Sequence, residues 1–191
     1  GGISISAITP TATNQTLYIW GWNILSRAGS IDISTSAVIN WNSAESRALG
    51  GKSSTDAVSS SANITIRSAQ LLDTTANNLS TISTSGNVTI APIGNNFTGD
   101  VQTQFNVFAS DFTFGNLATV DSASFTVKVS GDVTANGTIT IAGNAITLDK
   151  GYDLISTKAG SEILLKAKQW IDIDNTTSTL TQTNDADFSI I

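Results

Sequence analysis

At 191 residues, 40% of them hydrophobic, the chain is long enough for one core and too apolar for wholesale disorder. A net charge of −6 and a pI near 4.3 argue against nucleic acid or an anionic membrane as a partner, since both demand a cationic face. The absence of Cys, His and Met excludes disulfides, thiolate nucleophiles, zinc–thiolate sites and imidazole bases, and suits an oxidising exterior.

No apolar run approaches the roughly 20 residues of a membrane span, so no membrane insertion is expected. Residues 1–191 read as a single segment that opens on Gly1-Gly2 without a start methionine and stops on "DADFSII" in mid-strand. The expectation is a processed chain or a fragment of a longer one, which leaves secretion open.

In chain order, strand patterns dominate. They fall at 3–8, 16–25, 30–34, 37–41, 63–68, 87–92, 101–109, 111–115, 124–129, 132–135, 138–142, 145–149, 153–157, 162–168, 170–174, 179–183 and 187–191. β-branched residues fill them, as half-buried pleated surfaces prefer. The nearest approach to a helix is "SAESRALGGKSS" at 43–54, with Ser43 as cap and Gly50 as stop. It has too few apolar positions to pack, so a surface loop or a single turn is expected.

A degenerate motif recurs: Gly or Ala, a small polar residue, then alternating aliphatics. It reads "AGSIDIS", "SANITIRS", "SGNVTIAP", "SGDVTA", "NGTITIAG", "AGNAITLD" and "AGSEILLK", aligning Ile31, Ile64, Val88, Val133, Ile139, Ile146 and Ile163. Three architectures could use short strands cut this regularly. A propeller needs a signature every 40 residues or so, which is absent. A β-sandwich would close hairpins at "NG" and "GN", but strands of four or five residues would give it little core. A solenoid uses the same residues as corners between faces, because Gly and Asn tolerate positive φ. "DVTA", "TITIA" and "AITLD" with their turns then span a rung of about 20 residues. The fold class expected is all-β, a right-handed parallel β-helix, with a β-sandwich as the alternative. The segment near 95–129 departs from the pattern. It carries Phe97, Phe105, Phe108, Phe112, Phe114 and Phe125, and reads as an irregular, wider section or a separate small subdomain.

The stretch "SGNVTI…SGDVTANGTITIAGNAITLDKG…AGSEILLKA" resembles the filamentous-haemagglutinin-type repeat proteins of bacteria, large secreted surface adhesins that fold as right-handed parallel β-helices. "NVTIAPIGNNFTGDVQTQFNVFASDFTFGNL" is also similar to giant repeat proteins of the Bacteroidetes surface. The likeness spans roughly Ser61 to Lys168. It implies a non-enzymatic, structural and adhesive section of a cell-surface or secreted adhesin. The partners would be a host or neighbouring cell surface, glycans, or further copies of the chain. No catalytic residue is carried over, since the repeat has none. Two other functions stay open: a self-assembling extracellular filament subunit, and a carbohydrate-binding or carbohydrate-active β-helix protein.

Four groups of residues carry candidate chemistry. "LYIWGWN" puts Tyr18, Trp20 and Trp22 on one strand face, either outward as a ladder for stacking on sugar rings or inward as a core layer. "WIDID" puts Asp172 and Asp174 about 7 Å apart on one side of a strand. Such a pair suits calcium or, less well, glycoside hydrolysis; outward Asp is also ordinary there. Asp185 and Asp187 repeat the spacing. "DTT" and "DSA" match a short O-glycosylation sequon of Bacteroidetes, which would place sugar on Thr74 and Ser122. Thr138 and Thr140 form the T-x-T spacing of ice-binding solenoids, but the "TQT" at 181–183 does not hold its phase, so an ice-binding face is not expected.

Overall fold

The computed structural model describes residues 1–7, 16–19, 23–41, 47–51, 60–73, 80–174, 178–182 and 188–190. The first turn of the coil holds β1 (Ile3–Ala7), β2 (Thr16–Ile19) and β3 (Ile24–Leu25). The second holds β4 (Ile31–Thr35), β5 (Val38–Trp41) and β6 (Arg47–Gly50), the third β7 (Ile64–Ser68), β8 (Gln70–Asp73) and β9 (Ser80–Ser83). The fourth has β10 (Val88–Pro92), β11 (Val101–Thr103) and β12 (Asn106–Ala109), the fifth β13 (Phe112–Phe114), β14 (Thr126–Val129) and β15 (Val133–Ala135). In the sixth, β16 (Ile139–Leu148) bends through a corner and serves two faces before β17 (Leu154–Ser156). The seventh repeats this with β18 (Ile163–Ile173) and β19 (Leu180–Gln182), and β20 (Phe188–Ile190) starts the next.

Each strand pairs with its counterpart one turn away, and every described pairing is parallel. Three ladders result. The first runs β1-β4-β7-β10-β13-β16-β18-β20, the second β2-β5-β8-β11-β14-β16-β18, and the third β3-β6-β9-β12-β15-β17-β19. The chain is thus a parallel β-solenoid with three faces, and the sandwich alternative falls with the absence of antiparallel neighbours among the described residues. Val133 pairs with Leu154, and the stacked Asp132 and Asp153 are 21 residues apart, close to the rung length the sequence suggests.

The inward side of each face is a column of aliphatics. On the first face Ile31, Ile64, Val88, Phe112, Ile139 and Ile163 stack in register and are buried. Val133 and Ile146, aligned with these by motif, sit on the third and second faces, so the motif marks corners generally. Fully burying one such side chain contributes about 1.5–3 kcal/mol.

The Phe-rich segment continues the coil in unbroken register through β11 to β14, so it is no separate subdomain. Its rings fill the core. Trp41 meets Phe105 edge-on with centroids 4.9 Å apart, and Phe97 meets Phe125 at 5.1 Å. Phe108 is the exception, facing outward and half-buried. What is irregular is one corner, between the first and second faces. The second turn crosses it in Ser36-Ala37 and the third in Ala69 alone. The fourth and fifth turns spread it into residues 93–100 and 115–125, the latter holding a 3-10 turn, Leu117–Ser122. These two excursions stack: Thr119 Oγ1 donates to the Asn95 carbonyl at 2.6 Å, and Asn96 Nδ2 to the Ser122 carbonyl at 3.2 Å.

Two expectations about elements change. The 16–25 stretch is broken into β2 and β3, on different faces. Within 43–54, Arg47–Gly50 is a strand, with Leu49 wholly buried. A single inward side chain suffices there, because Leu49 stacks between Ile24 and Ile82 on the third face.

Candidate functional site

The corners explain the composition. Where the chain turns, the strand ladder stops and backbone groups need other partners. Side-chain oxygens supply them across turns: Asn63 Oδ1 accepts from Asn87 N at 2.9 Å, and Asp111 Oδ1 from Thr138 N at 2.8 Å. At another corner Asn106 Oδ1 accepts from Asp132 N, Asp132 Oδ1 from Asp153 N, and Asp153 Oδ1 from Thr179 N. Inside the bend, Thr35, Thr84 and Thr103 each accept the N–H two residues on. In two of the repeats, those of Asn63 and Asp132, the small polar residue that opens the motif is this corner acceptor.

With the polar residues so engaged, the outward faces are flat and mostly uncharged. Thr65, Thr89, Thr113 and Thr140 form one outward column on the first face. Asp32 precedes it and Leu164 follows. The T-x-T spacing does not mark this column, because only the second threonine of "TIT" belongs to it. Its signal was present as "NITI", "NVTI", "DFTF" and "TITI". Arg67 lies 3.6 Å from Asp32 on this face, a pair of exposed side chains that adds little to stability.

Tyr18 faces outward on the second face, 62% exposed. Its column continues through Asn40, Leu72, Gln102, Lys128 and Thr147 to Asp172. Trp20 and Trp22 lie outside the described residues, as do Thr74, Asp185 and Asp187. Ser122 is exposed on the 3-10 turn; its Oγ donates to the Thr119 carbonyl and accepts from Asn96 Nδ2, each at 2.9 Å.

Asp172 and Asp174 line a cleft of about 330 Å³ with Thr147, Leu148, Asp149, Lys150 and Tyr152. Asp149 is engaged there, taking the Lys128 ammonium at 3.0 Å and the Ser130 hydroxyl at 2.6 Å. Among the described residues no group of three or more acidic side chains converges as a metal site. Beside the cleft, two residues before Asp172 on the same side of β18, stands Trp170, 47% exposed. No spacing in the sequence marks Trp170, Lys150 or Tyr152 as part of this site. Tyr152 and Lys150 reach the cleft from the corner after β16, a proximity that only the turn-to-turn register creates.

At the other end of the coil, Ile3, Ile5, Leu17 and Ile24 are only partly buried and line an apolar cavity of about 500 Å³. No described strand lies beyond β1, β2 or β3.

Comparison with protein-family models finds no match. Comparison with curated proteins and with solved structures finds none either.

Proposed function

We propose that the chain is a structural and adhesive section of a bacterial cell-surface or secreted protein, a stiff coil that displays binding surface away from the cell. The observation that carries this reading is the continuous parallel pairing of three ladders from the first turn to the seventh, with a single register shift at the Gly143–Ala145 corner of β16 against β18. Such stacking joins every turn to its neighbours by backbone hydrogen bonds and continuous aliphatic columns, which favours stiffness along the axis. The flat Ser/Thr/Asn faces suit contact spread over area. The resemblance to haemagglutinin-type repeats and the freedom from Cys and Met agree with an extracellular setting.

The test is adhesion. Beads coated with the folded chain are expected to hold to host or neighbouring bacterial cells, and beads coated with the heat-unfolded chain to release. Equal retention of both removes the adhesive function.

A second reading is favoured by the partly buried apolar residues at the first turn. The chain would be a filament subunit, adding end to end by strand pairing, a heterologous contact that does not close. Light scattering that grows with concentration, with fibres under the electron microscope, supports it; a monomer at all concentrations sinks it.

A further inference from the structure

The geometry points to a glycan-binding subsite on the second face at the sixth and seventh turns, built on Trp170 and taking a neutral hexopyranose oligosaccharide. It rests on the display reading above and gives that reading a ligand class.

Trp170 points outward beside Ala145 of the preceding turn. Alanine is too small to cover an indole, and the ring stays 47% exposed. An exposed indole face pairs with the C–H face of a pyranose ring, apolar on the flat and polar at the edge. The polar groups needed at that edge flank the indole along the strand. On one side, Asn144 Nδ2 donates to Gln169 Oε1 at 3.2 Å, and both amides are open to solvent. On the other, Thr147 lies beside Asp172, which begins the cleft that Asp174, Lys150 and Tyr152 complete. A strand rise of about 3.3 Å per residue sets Asp172 about 7 Å from Trp170, so a chain of sugars on the indole continues into the cleft.

The acceptors choose the sugar. Carboxylates accept from hydroxyl groups and offer nothing to a second anion. Of the charged side chains that line the cleft, Asp149, Asp172 and Asp174 are acidic and Lys150 is basic, and the Lys128 ammonium at 3.0 Å offsets Asp149. The cleft therefore carries net negative charge, which repels uronic acids and sulfated glycans and leaves neutral hexoses. Thr113, outward on the first face and not among the residues that line the cleft, makes the natural control.

The experiment titrates the 15N-labelled chain with cellohexaose, maltohexaose and chitohexaose at millimolar concentration, following the indole N–H resonance of Trp170, assigned through Trp170→Phe. At least one neutral hexamer is expected to shift that resonance, and a galacturonic acid hexamer to leave it unmoved. Trp170→Ala is expected to weaken binding about tenfold or more, Asp172→Asn several-fold, and Thr113→Ala not at all. The backbone spectrum of each variant verifies the fold. A Trp170 resonance unmoved by all three neutral sugars overturns the subsite, as does affinity unchanged in Trp170→Ala or stronger binding of the acidic hexamer. Bead adhesion separates this from the broader reading. Adhesion without sugar binding leaves display standing and removes the subsite; sugar binding without adhesion does the reverse.

Discussion

Gly115 shows how little room the corners leave. Its φ is +96°, and a Cβ there would run into the Ala142 carbonyl oxygen of the next turn. Gly115→Ala meets both a strained backbone and a fixed neighbour, so it is expected to cost about 1–3 kcal/mol, read as a lower urea midpoint. Asp132 is a subtler case. Its backbone N–H donates to Asn106 Oδ1 and its carboxylate accepts from Asp153 N–H, so one residue links three turns, to one neighbour by its backbone and to the other by its side chain. Asp132→Ala is expected to lose about 0.5–1.5 kcal/mol, while Asp132→Asn, which keeps the acceptor, loses less than half of that. Equal effects of the two variants in thermal melts would remove the acceptor role. At this scale the sequence was only half legible. It displayed a small polar residue before each aliphatic run, but a donor 21 to 27 residues away is invisible until the register is known.

Among the elements, the strands read best where their aliphatics alternate, as in β4, β7, β10 and β16, because period two is what a face buried on one side imposes. β6 escaped because its inward surface is essentially one leucine, and β16 divided in two because its corner at Gly143-Asn144 looks like a turn. The core columns hold different residues in neighbouring turns, Ile90 beside Phe114 for example. Phe112→Ala, which empties a wholly buried site between Val88 and Ile139, is expected to cost about 3–5 kcal/mol in urea unfolding. Thr113→Ala, its outward neighbour, is expected to fall within about 0.5 kcal/mol of the parent. The candidate site was less legible than the strands. Asp172 and Asp174 were found by their spacing, whereas Trp170, on the same strand, gained interest only once Ala145 was seen beside it.

For the whole molecule, each turn touches only the turns before and after it, so stability grows as a chain of neighbour contacts. Amide exchange is expected to be slowest in β10, β13 and β16, which are flanked on both sides, and fastest in β3 and β19, at the ends of the third ladder. Uniform protection along the coil would contradict that. One corner sets a different kind of freedom. Residues 93–100 and 115–125 leave the coil and return to it without shifting any ladder pair, whereas the third turn crosses the same corner in one residue. Length there is decoupled from register, since lengthening a surface loop twofold costs only about 0.6 kcal/mol. Gly94 has open space around it. A foreign peptide spliced after Gly94 should therefore ride as cargo on an unchanged scaffold, making this edge the natural mounting point for payloads.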